Sequence, residues 1–148
     1  MASASILFDS RTQRLTLEDV CDHLTRSAVS CRLGEWVFLG QVCPQIEVHS
    51  TPPFALQLND SSEIVAAETL EMIEDRISQF SPEQVAALEQ CDSRIEVVSG
   101  AQPVITRFPE GGIVSYTPEP DLTSPEAQGL LRELARFLNG TLIQDELG

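Results

Sequence analysis

The side chains most able to supply a nucleophile, a base or a metal ligand are four cysteines and two histidines in 148 residues. The cysteines are Cys21, Cys31, Cys43 and Cys91, and successive members are 10, 12 and 48 positions apart. Structural zinc sites need close ligand pairs such as Cys-x2-Cys. The spacing therefore predicts four reduced thiols, with no metal ion and no cofactor.

The two histidines are candidates for a general base. His23 lies two positions after Cys21, and side chains at i and i+2 of a helix diverge. We therefore expect Cys21 to be buried, His23 to be at the surface, and neither to be catalytic. His49 ends a predicted strand and leaves two alternatives open, a base in a pocket at the sheet edge or a solvent-facing residue.

The charge balance restricts the partners. The chain has 23 acidic residues against 9 basic ones, a net charge of -14, and every basic residue is arginine. Such a surface repels nucleic-acid phosphates and anionic lipid headgroups. We expect neither nucleic acid nor membrane as a partner. The charge favours a basic protein partner, with solubility alone as the alternative.

One group of acids is a candidate partner-binding site. Glu68, Glu71, Glu74 and Asp75 lie on the flank of a predicted helix that is opposite its apolar residues. The alternative is an ordinary solvated helix face.

Hydrophobic periodicity predicts the elements that position these groups. A capping box at Thr16 opens a first helix, and Ser81-Pro82 and Ser124-Pro125 open two others. A further helix runs from Ala67, with Leu70, Ile73, Ile77 and Phe80 on one apolar face, whereas Glu63–Ala66 fits a strand or a helical turn. Asn139-Gly140 closes the last helix, with the glycine in the left-handed position. The predicted strands are 5–9, 36–42, 46–49, 54–58, 94–99, 104–108, 112–117 and 141–144.

This order of elements indicates an α+β fold in one domain, residues 1–148. We expect a mainly antiparallel sheet covered by about three helices on one face. The first residues lack the charged start and apolar run of a signal peptide, and no window reaches the ~20 apolar residues of a membrane span. We therefore expect a cytoplasmic protein.

The C-terminal segment from Leu130 to Glu146 carries a resemblance to known proteins. It reads as a Leu-rich helix, a glycine, a short strand and an acidic pair, Asp145-Glu146. It resembles the ending of small bacterial domains that look like cytosolic immunity proteins, which neutralise toxins delivered between competing bacteria. The resemblance covers about an eighth of the chain and transfers no functional residue. It implies a small, non-catalytic protein, acidic where its toxin is basic.

Three hypotheses about function follow from the sequence. The first is a non-enzymatic acidic protein-binding domain, most concretely an immunity protein that blocks a basic, nuclease-like toxin. The second is a small-molecule-binding or enzymatic domain that uses a pocket near His49. The third is a structural subunit of an assembly, with Trp36 and Phe38 as interface anchors. The sequence indicates no oligomeric state.

Overall fold

The structure is a computed structural model that describes residues 4–11, 15–50, 53–99, 104–107, 111, 113–116 and 121–144. These ranges contain eight strands, four α-helices and one short 3-10 helix at Ile77–Gln79. The strands are β1 (Ala4–Phe8), β2 (Cys31–Phe38), β3 (Gln41–Val48), β4 (Phe54–Asn59), β5 (Ser93–Ser99), β6 (Val104–Arg107), β7 (Ile113–Tyr116) and β8 (Thr141–Gln144). The helices are α1 (Leu17–Arg26), α2 (Ser62–Asp75), α3 (Pro82–Glu89) and α4 (Pro125–Leu138).

Six strands form one antiparallel sheet in the order β2-β3-β4-β5-β1-β8. The strands β6 and β7 pair separately as an antiparallel hairpin. The first strand therefore lies inside the sheet, between β5 and the last strand β8. The predicted α+β class with a mainly antiparallel sheet is confirmed.

The helices lie on both faces of the sheet, which differs from the predicted arrangement of about three helices on one face. In β1, Ile6 and Phe8 belong to a buried cluster with α1 and α4. Leu7 points to the other face and packs with Val65 of α2 and Leu88 of α3. Because β1 is apolar on both faces, it needs helices on both sides.

Serine and threonine caps begin three of the helices. The Thr16 hydroxyl accepts from the Asp19 amide, and the Asp19 carboxylate accepts from the Thr16 amide, which completes the predicted capping box. Ser81 and Gln84 form the same reciprocal arrangement at α3. The hydroxyl of Ser124 caps α4. The predicted starts of these helices are confirmed.

A hairpin turn interrupts the segment predicted as the strand 36–42. Leu39 and Gly40 both have positive φ, 50° and 78°, and they connect β2 to β3. Two-residue hairpins favour positive φ at both central residues because that twist matches the twist of the strands. The prediction missed this turn because leucine rarely adopts a left-handed backbone.

The helix α2 begins earlier than predicted and packs through a different stripe. It includes Glu63–Ala66, so the undecided segment is helical. Its buried residues are Val65, Thr69 and Ile73, whereas Leu70 and Ile77 are 53% and 59% exposed. The predicted apolar face is therefore wrong for Leu70 and Ile77, whereas Ile73 is buried and Phe80 is partly buried against the same cluster.

The C-terminal helix packs as expected but ends differently. Its predicted apolar face is buried through Leu130, Leu131, Leu134 and Leu138, and Phe137 is partly buried. The left-handed residue at its end is Asn139 (φ 51°, ψ 41°), and Gly140 follows it. A Cβ at Gly140 would lie 2.6 Å from the carbonyl oxygen of Leu7, so glycine is required for close approach to β1. The acidic pair after β8 lies outside the described residues.

Candidate functional site

The four acids predicted as a partner-binding site lie on α2. Glu68, Glu71, Glu74 and Asp75 are all exposed. The buried stripe of the same helix follows the spacing i, i+4, i+8. At 100° per residue Glu71, Glu74 and Asp75 lie on the side of α2 that is away from this stripe, whereas Glu68 lies on the flank, within reach of the sheet. We call these four residues the α2 acidic surface.

One arginine neutralises part of this surface. The guanidinium of Arg94 on β5 lies between the carboxylates of Glu68 and Glu96, at 2.6 Å from each. Its Nε faces Glu96 at an angle that makes the contact ionic rather than hydrogen-bonded. Glu71, Glu74 and Asp75 form no ion pair within the part of the chain that the structure describes. The negative charge is therefore concentrated in the second half of α2.

The end of α2 is an unfavourable place for these acids. The C-terminus of a helix carries partial negative charge, so carboxylates in the last turn cost roughly 0.3–1 kcal/mol each. Glu74 and Asp75 occupy this turn, α2 itself contains no basic residue, and its C-cap residue is Arg76. The guanidinium of Arg76 donates to the carbonyl oxygen of Gln144.

Exposed apolar side chains border the acidic surface. Ile64 and Leu70 of α2 are 49% and 53% exposed, and Ile77 directly after the helix is 59% exposed. Leu70 precedes Glu74 by one helical turn, so the two side chains are neighbours. Charged and apolar groups side by side are typical of protein-binding surfaces.

A groove between α2 and α3 opens beside Leu70. Its volume is 170 Å³, and its walls include Ala66 and Ile73 of α2 with Leu88 and Glu89 of α3. Thr69 also lines the groove although the residue is only 4% exposed. Among the described residues its hydroxyl has no hydrogen-bond partner, and the hydroxyl is inaccessible to solvent. The groove is therefore an apolar depression, and the Thr69 hydroxyl is buried behind its wall.

Cys91 completes the wall of this groove. Its thiol donates to the carbonyl oxygen of Ala87, with a sulfur–oxygen distance of 3.5 Å. Burial, assisted by the charges of Asp9 and Asp92, raises the pKa of Cys91 to about 11. Since the thiolate is the nucleophilic form, the thiol is unreactive at neutral pH. Cys91 is therefore a wall residue of the groove and not a candidate nucleophile.

The structure places His49 beside a hydroxyl that the sequence analysis missed. His49 Nδ1 lies 3.2 Å from Ser30 Oγ, and the His49 amide donates to the Ser30 carbonyl oxygen. Both side chains are exposed, and within the described residues no carboxylate contacts the imidazole. The pair thus lacks the group that orients the base in a catalytic triad. The pairing of β2 with β3 brings Ser30 and His49 together although they are 19 positions apart, so a correct prediction of this hairpin would have indicated the contact.

A larger cavity of 330 Å³ lies elsewhere, where β1, β4 and β5 meet the start of α1. Ser10, Thr16, Asp60 and Ser93 supply its polar groups, and His49 does not line it. The predicted pocket near His49 and this cavity are therefore different places.

The third sequence hypothesis concerns the side chains of Trp36 and Phe38, which lie outside the described part. The backbone of both residues lies in β2, an edge strand of the sheet.

His23 connects two helices instead of standing alone at the surface. Its ring stacks on Phe137 with centroids 3.8 Å apart, and its Nε2 lies 3.2 Å from Glu133 Oε1. Hydrogen bonds from Arg136 lower the pKa of the Glu133 carboxyl, and the contact with His23 lowers it further. Desolvation of the carboxyl partly opposes these effects. This contact is a structural link between α1 and α4.

The cysteines are free thiols. Cys21 Sγ and Cys31 Sγ are 4.0 Å apart, well beyond the ~2.05 Å of a disulfide bond. Burial, with the neighbouring Cys31 thiol second, raises the pKa of Cys21 to about 11. In the part of the chain that the structure describes, no group of three or more His, Cys, Asp or Glu residues could hold a metal ion.

We expect the purified protein to contain four reduced thiols and no zinc, because neither spacing nor geometry favours a bond or a metal site. Intact-mass analysis of untreated protein, together with elemental analysis, measures both. A mass two units low would reveal a disulfide, with Cys21–Cys31 as the first pair to examine by peptide mapping. Stoichiometric zinc would equally contradict the expectation.

Comparison of the chain with protein-family models, with curated proteins and with solved structures finds no match. In the described ranges no helix has the length and apolar character needed to cross a bilayer.

Proposed function

We propose that the protein is a non-enzymatic, cytoplasmic protein-binding domain whose α2 acidic surface binds a basic protein. The observation that carries the proposal is the concentration of acids in the second half of α2 that form no ion pair with any described residue. Glu71, Glu74 and Asp75 are exposed there, and the helix dipole opposes Glu74 and Asp75, which lie in the last turn. A basic partner adds positive charge at this end of the helix, where Arg76 is the C-cap residue, and so offsets this cost.

The most concrete form of this function is that of an immunity protein against a basic, nuclease-like toxin. A nuclease needs a basic cleft for phosphates, and an acidic plug associates quickly with such a cleft. The net charge of -14 supports this function, as does the resemblance of the C-terminal segment to immunity proteins. The partner is therefore a protein, and neither a nucleic acid nor a membrane.

Reversing charge at Glu71 and Glu74 tests the proposal. The basic partner is first captured from a lysate of the encoding organism, and association and dissociation rates are then measured at two salt concentrations. The variant E71R/E74R is expected to slow association about tenfold or more at low salt, because complementary charge acts mainly on encounter. Raising salt from 0.01 M to 0.1 M shortens the screening length from ~30 Å to ~10 Å and should shrink the difference.

The matched control is E18R/D22R on α1, which lies against the opposite face of the sheet. Each reversal adds two charges, so both double variants change the net charge from -14 to -10. The control should slow association much less. An equal effect of the two variants would show that only the total charge matters, and an acidic or uncharged partner would contradict the proposal outright.

A growth assay tests the immunity function itself. The captured protein is expressed alone in a host bacterium and then together with this chain. Growth arrest that co-expression relieves is the expected result, and E71R/E74R should relieve it less than E18R/D22R does. A captured protein that is harmless when expressed alone would contradict the immunity function and leave a binding domain of another kind.

A further inference from the structure

Cys21 and Cys31 are two thiols that the fold brings into contact. Their sulfurs are 4.0 Å apart, although the residues are separated by 10 positions in the chain. Cys21 lies on α1, and Cys31 is the first residue of β2, on the sheet face that α1 covers. A short turn at 27–30 connects the two elements, and Ala28 in this turn has a positive φ of 65°. Helix, turn and strand therefore hold the two thiols against each other.

The reduced pair is the resting state of these thiols. The Cys31 thiol donates to the carbonyl oxygen of Cys21, with a sulfur–oxygen distance of 3.9 Å. A disulfide bond is ~2.05 Å long, so the two sulfurs must approach by about 2 Å before a bond can form. Rotation about χ1 moves each sulfur and leaves the backbone in place. An oxidant can therefore join the two residues without a rearrangement of α1 or β2.

The two thiols differ in access and acidity, and this difference fixes the order in which they react. Cys21 is 7% exposed, and burial, with the neighbouring Cys31 thiol second, raises its pKa to about 11. An oxidant in solution does not react first at Cys21, because the thiolate is the nucleophilic form. Cys31 is only partly buried, so an oxidant can reach it. Cys21 reacts second, since a group held in contact behaves as though its concentration were very high.

We propose that Cys21 and Cys31 form a redox-sensitive lock, which a low-molecular-weight disulfide such as oxidised glutathione closes and a thiol reductant opens. In the first step the Cys31 thiolate attacks one sulfur of oxidised glutathione. A bond forms between these two sulfurs, the glutathione disulfide bond breaks, and one glutathione thiolate leaves. In the second step Cys21 gives its proton to solvent and attacks Cys31 Sγ, which releases the second glutathione. Two electrons pass to glutathione, and two protein thiols become one disulfide.

The closed lock fixes α1 to β2, which is an edge strand of the sheet. A cross-link between residues 21 and 31 lowers the conformational entropy of the unfolded chain and so stabilises the folded one. For a loop of this length we expect the midpoint of thermal unfolding to rise by roughly 5 °C. The inference is independent of the proposed function, because α1 and α2 lie on opposite faces of the sheet and the α2 acidic surface does not change.

Treatment of the reduced, folded chain with oxidised glutathione at mildly alkaline pH tests the lock. Trypsin cleaves after Arg14, Arg26 and Arg32, so the two cysteines fall on different peptides, 15–26 and 27–32. We expect mass spectrometry to find these two peptides joined by a disulfide. The midpoint of thermal unfolding should rise in the treated protein, and dithiothreitol should restore both the separate peptides and the original midpoint.

The other cysteines provide the controls. Cys21→Ser leaves Cys31 without a second thiol, so the reaction should stop at a mixed disulfide between Cys31 and glutathione. Cys43→Ser removes a partly buried thiol of β3, and this variant should close the lock as the unchanged protein does. Cys91 has an equally raised pKa but no thiol in contact with it among the described residues, so it should stay reduced.

Peptide mapping of the unchanged protein decides the inference without any variant. A glutathione adduct that persists on Cys31 would overturn the lock, because it would show that Cys21 does not reach the oxidised sulfur. Joined peptides that appear only after the chain is unfolded in urea would equally overturn it, since the fold would then hold the sulfurs apart. A disulfide that lowers the midpoint of thermal unfolding would contradict the stabilising effect of the closed lock.

Discussion

Replacing Leu134 by alanine is expected to lower the free energy of unfolding by about 2–5 kcal/mol, the usual cost of truncating a core leucine. Leu134 lies in the middle of the apolar face of α4 and is 0% exposed. It belongs to the buried cluster that joins α1 and α4 to the sheet. The truncation leaves a cavity that rigid neighbours on the sheet cannot fill.

The control for this variant is Leu39→Ala at the tip of the β2–β3 hairpin. Leu39 is 86% exposed, and its left-handed backbone disfavours leucine and alanine alike. The same chemical truncation should therefore change stability by less than about 0.5 kcal/mol. Urea denaturation of both variants measures the difference. A loss below about 0.5 kcal/mol for Leu134→Ala would show that α4 does not pack through this face.

Adding one methyl group at Gly140 is expected to cost about 1–3 kcal/mol, the usual penalty for overpacking a tight site. The new Cβ would lie 2.6 Å from the Leu7 carbonyl oxygen and 2.9 Å from Ile6 Cγ2. The nearer atom belongs to the backbone of β1, which is held on both sides by β5 and β8. Relief therefore requires the α4–β8 connection to move away from the sheet.

The same substitution at Gly129 should have the opposite sign. Gly129 lies inside α4, and a Cβ there meets nothing within 4 Å. Alanine is favoured over glycine in a helix by roughly 0.5–1 kcal/mol, so Gly129→Ala should stabilise the protein. Thermal unfolding of the two variants should shift the midpoint in opposite directions. A Gly140→Ala variant as stable as the unchanged protein would show that the close approach to β1 is not tight.

The sequence predicted best those elements whose local signals agree. Three helix starts carry a Ser or Thr cap, and α1 and α4 carry strong apolar stripes. Local hydrogen bonds and one-sided burial decide these elements, and both are visible in the spacing of residues. The sequence did not show that Asn139, and not Gly140, adopts the left-handed backbone at the end of α4. Both residues tolerate a left-handed backbone, and the approach of β1 from a distant part of the chain decides which one adopts it.

The sequence was least informative about α2. Its buried stripe is narrow and contains a polar residue, Thr69, whereas apolar Leu70 and Ile77 remain exposed. Hydrophobicity alone therefore selected a face that is correct for Ile73 and Phe80 and wrong for Leu70 and Ile77. The exposure of the α2 acids was predicted because isolated carboxylates are rarely buried. The groove was not predicted, since it depends on how α3 packs against α2 and on a hydroxyl left unsatisfied by that packing.

The two faces of the sheet are held by clusters of different size, and this has a consequence for dynamics. Among the described residues, sixteen buried side chains form the α1–α4 cluster, whereas five form the cluster under α2 and α3. The helices α2 and α3 also form one continuous segment between β4 and β5, so they can separate from the sheet without breaking its ladders. Regions with few buried contacts open in local unfolding steps of lower free energy than the whole. Amide hydrogen exchange is therefore expected to be faster in α2 and α3 than in α1 and α4.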